Sequence, residues 1–317
     1  MLAVAFGGPG FGGPGFWGPA PASAGEPGQA VAEPASEETE ASDAAASDTE
    51  APELGEEWVR VAYDEQGEPR AMQVAIVRYR GTHEGTPVTV DLVGAVHVGD
   101  TAYYEKLNAR FTQYQALLYE LVAPEGTRVV PQDGGENRSV IHSVQNGMKA
   151  MLELEHQLEK VDYTRPNFVH ADMSPQQFMK SMQDRDEGFL QMYFRMVGQG
   201  MAVQSKQQAD GQSTDFDIFK ALLAPDRARR LKIVFAEQMI NMESLIGGFG
   251  GEKGSTIITE RNKTALGVLR EQLAEGKTLV GVFYGAGHLS DMDKRLRKDF
   301  SLLPEEITWL DAWDLTK

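Results

Sequence analysis

Two short stretches share a pattern of residues able to do chemistry. "VGAVHVGD" at 93–100 and "YGAGHLSD" at 284–291 each spell Gly-Ala-x-His, then an aliphatic residue, a spacer and Asp. Their histidines, His97 and His288, lie 191 positions apart. A neutral imidazole is a base near physiological pH and a ligand for divalent metals, and glycine ahead of it permits a tight turn. One such histidine is ordinarily a capping or turn residue; its repetition argues for a shared site. Glu120 lies near the end of "ALLYELV" (116–122), a run that is apolar on both parities and so reads as a strand buried on both faces. A carboxylate there is costly unless hydrogen-bonded, paired or bound to a cation. Two histidines and one carboxylate form a donor set with open positions for water. It suits a divalent transition metal, which would activate that water and polarise a carbonyl.

Two further pairs stand nearby in type. Glu260-Arg261 opens a helix beside the glycine-rich "GGFGGEKGS" (247–255). That loop is no nucleotide-binding motif, because Lys253 precedes Gly254 instead of following a G-x-x-x-x-G spacer. An arginine at a helix start beside such a loop can bind a carboxylate or an oxyanion, while Glu in a first turn is also ordinary helix composition. His170 and Asp172, in "NFVHADMS", complete a metal site, support its ligands by hydrogen bonding, or merely cap the next helix. His83, His142 and His156 have no convergent partners and read as structural.

These residues need elements to hold them. "WVRVAY" (58–63), "AMQVAIVRYR" (71–80) and "PVTVDLVGAVH" (87–97) predict strands, the last two joined by a hairpin turn at "GTHEGT". A helix follows over 100–115 with Asp100 as N-cap candidate and Tyr103, Leu107 and Phe111 on one face, then the strand of 116–122. That is a strand–helix–strand crossover. From about 139 to 247 four helical stretches are predicted, with Ser174-Pro175-Gln176-Gln177 as a start signal. The methionines at helical spacing there read as core filling in preference to a ligand groove. The α/β pattern resumes in a helix around "TERNKTALGVLREQL", the strand "TLVGVFYGAGH", a helix over "DMDKRLRKDF" and the strand "ITWLDAW". The expected fold is therefore α/β: a mainly parallel sheet built from two related strand–GxxH–helix halves, with an antiparallel hairpin at its start and a helical insertion over about 139–247. Ligands of such sheets bind beyond the carboxyl ends of the strands, where both histidines fall.

Charge and composition narrow the class. The formal net charge is −17, yet residues 1–56 hold ten Asp and Glu and no Lys or Arg, leaving seven net negative charges on residues 57–317. Without a Lys/Arg stripe the body offers no footprint for a phosphate backbone, so nucleic acid is not an expected partner. The chain has no cysteine, which excludes disulfides and thiol chemistry. Residues 1–56 read as a leader or disordered acidic segment. The repeated Phe-Gly-Gly-Pro-Gly packs poorly, "APASAG" (20–25) has the small residues of a cleavage site, and the following stretch buries too little apolar surface to order itself. Export to the periplasm or beyond is the expectation, with the cytoplasm as the alternative. No apolar run reaches the roughly 18–20 residues that span a bilayer.

Two GxxH motifs, a strand Glu after the first and an "ER" before the second resemble the TraB/GumN/Tiki superfamily, related more distantly to erythromycin esterases and ChaN-like haem-binding proteins. The likeness covers about 58–317, and "YTRPNFVHADMSP" (163–175) looks like a bacterial subgroup. The resemblance implies an α/β fold with a helical insertion and a metal-dependent peptidase using Mn or Co, with Zn as a further candidate. Carried over, His97, His288 and Glu120 match the metal site, and Arg261 matches the family arginine. Asn262 departs from the Asp that many members have after "ER". Three readings stand at this point: a metal-dependent hydrolase acting on peptide or small-molecule substrates, a non-catalytic peptide- or haem-binding protein, and a metal-independent esterase using a histidine-activated water.

Overall fold

The computed structural model describes residues 57–124, 127, 154–188, 221, 223–247 and 254–317. The expected leader lies outside them, as do 139–153 and 189–220 of the predicted insertion, His142 with them, and 248–253 of the glycine-rich stretch that follows.

The chain begins with β1 (Val59–Tyr63), β2 (Pro69–His83) and β3 (Thr86–Ala95). β2 and β3 form the predicted hairpin, with His83 opposite Thr86. Its two turn residues, Glu84 and Gly85, have φ of 48° and 80°, the positive pair that two-residue hairpins require and that glycine makes inexpensive. The chain continues through β4 (Val98–Gly99), α1 (Thr101–Phe111) and β5 (Ala116–Tyr119). Next come β6 (Glu155–His156), the short α2 (Gln157–Lys160), β7 (Phe168–His170), α3 (Pro175–Asp184) and α4 (Arg227–Gly247). A π-turn over Thr256–Glu260 leads into α5 (Arg261–Ala274); β8 (Leu279–Gly285), α6 (Leu289–Asp299) and β9 (Leu303–Asp314) end the fold.

The result is a mixed α/β arrangement. Seven strands form one sheet ordered β1-β2-β3-β8-β5-β7, with β9 along the opposite side of β2. β3, β8, β5 and β7 are mutually parallel, whereas β1, β2 and β9 pair antiparallel, so the sheet is more evenly divided than the mainly parallel one expected. The cause is the length of β2, whose 15 residues support β1 and β3 end to end on one side and β9 on the other.

The core lies on the parallel strands. Val90, Leu92, Leu117, Leu118, Val280 and Val282 are all fully buried, each contributing about 1.5–3 kcal/mol over exposure. Tyr103, Tyr104, Leu107 and Phe111 form the buried side of α1. The Tyr103 and Tyr104 hydroxyls donate to the carbonyls of Gly94 and Val96, fastening the carboxyl end of β3. Asp100 begins α1 without capping it; its carboxylate instead accepts the Asp314 N–H and meets Lys232, tying the helix start to β9 and α4.

Two parts of the predicted insertion are not helical. Glu155 and His156 pair with β4, because the backbone just past His97 needs partners, and the Gln157 N–H supplies another by donating to the His97 carbonyl. Phe168–His170 extends the main sheet as β7 beside β5. The Ser174 start signal is realised as a full capping box on α3. Among the described residues no helix is long and apolar enough to cross a membrane.

Candidate functional site

Four parallel strands end side by side, and each delivers one piece of a polar cluster. Ala95 stands opposite Gly285, Tyr119 opposite Phe283, and His170 opposite Tyr119. The residues immediately beyond these registers are therefore neighbours at one edge: the His97 turn, the Gly285–His288 turn, Glu120 and the Ala171–Asp172 turn. This is the carboxyl edge where ligands of parallel sheets sit.

The two Gly-Ala-x-His stretches are adjacent but out of step by one residue, since Gly94 faces Tyr284 and not Gly285. They also diverge after the strand. Beyond Gly285 the chain turns at once into a 3₁₀ turn over Ala286–His288 that runs into α6, and His288 is buried. Beyond Ala95 the chain bends at His97 and enters the short strand β4, and His97 is exposed. Among the described residues the His97 side chain makes no hydrogen bond or ion pair.

Arg261 is the hub. Its Nε donates to Asp172 Oδ1 at 3.0 Å, and Nη2 donates to Asp172 Oδ2 and to Glu120 Oε1, both at 2.6 Å. Nη1 points at His288 Nε2 from 3.5 Å. The second Glu120 oxygen accepts the Gly285 N–H at 2.7 Å. A Cβ at 285 would stand 3.2 Å from that oxygen, so this motif glycine makes room for the carboxylate. The Asp172 side chain is wholly buried, and those of Arg261 and Glu120 are 11% and 16% exposed.

The electrostatics follow from this geometry. Burial would push the Glu120 carboxyl up, but His288, the Arg261 guanidinium, the Gly285 N–H and the field of His97 hold it down at about 2. Burial pushes His288 below the usual histidine range, with the Arg261 charge acting in the same direction against the pull of Glu120. Burial would lower Arg261 as well, but Asp172 and Glu120 raise it, so it stays charged. The site at neutral pH is an ionised Glu120, a charged Arg261 held by Asp172, and a neutral His288.

His170 and Glu260 stand apart. His170 Nε2 donates to the Leu121 carbonyl at 2.6 Å and its ring packs on Tyr119, so it ties two strand ends together. Glu260 turns to the other side, accepting from Arg185 at 3.1 Å and Lys263 at 2.9 Å. Arg185 also donates to the Gly254 carbonyl, which clamps the π-turn that carries Arg261. The residue that sequence reasoning missed is Asn262, fully buried and 2.7 Å from His288 Nδ1. Its place beside Arg261 at a helix start was the only signal.

In this arrangement Arg261, and not an open position for a divalent metal, lies between Glu120 and His288. A cation bridging Glu120 Oε1 and His288 Nε2, which lie 3.6 Å apart, would sit about 2 Å from each. The Arg261 guanidinium already lies against both atoms, with its own positive charge. Among the described residues no group of three or more His, Asp and Glu stands together to hold a metal.

The chain matches no protein-family model, no curated protein and no solved structure.

Proposed function

We propose that this protein is a hydrolase of carboxylic ester or peptide-type amide bonds in which His288 activates water without a metal. The observation that carries the reading is a neutral imidazole whose Nε2 faces a carboxylate at 3.6 Å and a guanidinium at 3.5 Å, at the carboxyl edge of parallel strands. Nε2 takes a proton from water as the oxygen attacks the carbonyl carbon. Arg261 Nη1 donates to the oxyanion that develops. Ionised Glu120 stabilises the imidazolium, which then passes its proton to the leaving alcohol or amine as the carbon–heteroatom bond breaks. The two Gly-Ala-x-His strands are taken as related halves of one ancestral unit, of which the second retains the base.

The resemblance to the TraB/GumN/Tiki superfamily supports hydrolysis, and its esterase relatives support the metal-free route. A metal-dependent peptidase needs Arg261 to leave Glu120 before Mn or Co can enter between Glu120 and His288. Export remains part of the proposal, on the small-residue stretch near residue 20.

The test is turnover of a panel of aryl esters and a diverse peptide library by the full chain, with and without chelator. Turnover that resists chelation and is lost in His288→Ala is the expected result. Activity lost on chelation and restored by Mn, Co or Zn overturns the metal-free route. No turnover, with saturable peptide binding or a haem absorption band, overturns hydrolysis altogether.

A further inference from the structure

We infer that Asn262 fixes His288 as the tautomer protonated on Nδ1, which makes Asn262 a positioning residue for the proposed base. Its part in hydrolysis rests on the function proposed above; the tautomer does not.

The inference follows from donors and acceptors. Asn262 Nδ2 lies 3.0 Å from the His288 carbonyl oxygen and 2.9 Å from Asp291 Oδ2. Both are acceptors only, so the atom between them must be the amide nitrogen. Turned over, the amide would aim its oxygen at a carbonyl and a carboxylate inside the protein, the arrangement that buried polar groups avoid. Arg295 donates to both Asp291 oxygens, at 2.7 and 3.2 Å, which favours the carboxylate in this position. The atom 2.7 Å from His288 Nδ1 is therefore Asn262 Oδ1, which can only accept. Nδ1 must carry the hydrogen.

The other side of the ring agrees. Arg261 Nη1, 3.5 Å from Nε2, has only hydrogens to offer and so faces a lone pair. Glu120 Oε1 would favour a proton on Nε2, but at 3.6 Å it is beyond hydrogen-bond reach, and it already accepts from Arg261 at 2.6 Å. The Nε2 lone pair is thus on the side of the ring that faces Glu120 and Arg261. With the opposite tautomer the lone pair would face the start of α5 and be useless for activating water. Asp291, the last residue of the second repeated stretch, acquires a role: through Asn262 it sets the ring nitrogen that the histidine of the same stretch presents. Which nitrogen carries the proton is set by what the other one bonds, the usual logic of histidine sites.

The experiment is multiple-bond ¹⁵N–¹H NMR of the full chain with labelled histidine, at a pH above the imidazole's titration, with the His288 signals identified by their loss in His288→Gln. The expected spectrum has Nδ1 of the protonated type and Nε2 of the lone-pair type. Asn262→Leu, which offers Nδ1 no acceptor, loses that pattern. On a hydrolysed ester, kcat falls by about tenfold or more in Asn262→Leu, with KM little changed. A wild-type spectrum dominated by Nε2–H overturns the inference, and so does an Asn262→Leu protein that retains Nδ1–H. Should Asn262→Leu fail to fold, the wild-type spectrum decides alone. The expected tautomer with no turnover of any substrate leaves the inference standing and removes the hydrolase.

Discussion

Arg261 and Asp172, 89 positions apart, meet in a two-point ion pair, Nε to Oδ1 at 3.0 Å and Nη2 to Oδ2 at 2.6 Å, with the carboxylate entirely buried. Such a pair adds little over well-packed apolar residues, yet leaving one partner alone is costly. Asp172→Ala is expected to lower unfolding free energy by about 3–5 kcal/mol. Urea unfolding of the wild type and Asp172→Ala measures it, and an unchanged unfolding free energy would show that Arg261 is compensated by another partner.

The two motif histidines should differ in consequence. His288→Ala is expected to reduce kcat/KM by about 10²–10⁴, the usual contribution of a general base, whereas His97→Ala, altering an exposed side chain, should stay within about tenfold. The paired metal site expected from the sequence requires equal losses. Steady-state kinetics on one hydrolysed ester separates the two outcomes.

Stability should fall with acid in two stages. His288 binds its proton less readily folded than unfolded, so the unfolded state takes up more protons once the pH drops below about 6.5, and stability declines from there. Glu120, held at about 2 against an ordinary 4.5, contributes stability above about 4.5 that is lost as the pH falls toward 2. Unfolding free energies measured from pH 8 to 5 should slope less in His288→Gln than in the wild type. Identical slopes would mean that His288 is not buried as a neutral ring.

Tyr284 offers a gentler perturbation. Its hydroxyl donates to the Ala171 carbonyl, one residue before Asp172, and burial raises it well above the ordinary tyrosine range, so it remains a donor. Tyr284→Phe leaves that carbonyl unsatisfied and should cost about 1–3 kcal/mol. Thermal unfolding of the variant checks this, and an unchanged midpoint would show that another group takes over the carbonyl.

How much of this was legible follows from what sequence patterns encode. Apolar runs ending in Gly-Ala-x-His, the buried setting of Glu120 and the "ER" helix start point correctly to one sheet edge, because strand ends are set by local composition. Side-chain direction beyond a strand end is not local. His288 folds inward because Gly285 leads straight into a 3₁₀ turn, while His97 is carried outward by pairing of Val98 and Gly99 with Glu155 and His156, some sixty residues later. The direction of Glu260 is non-local for the same reason: Arg185, distant in sequence, donates to it. Asn262 was marked only by its place after Arg261, since an asparagine within a helix is unremarkable until a histidine is found against it.

The strand β7 is only three residues long and lies at the end of the sheet, with β5 its only partner among the described residues. It nevertheless leads directly to Asp172, the residue that holds Arg261 in place. Edge segments with few backbone bonds open at a fraction of the free energy needed to unfold a domain. The Arg261 cluster is thus coupled to the least anchored strand of the parallel set, so amide exchange at Val169 and His170 should run faster than at Val282 and report momentary loss of the cluster in molecules that are otherwise folded.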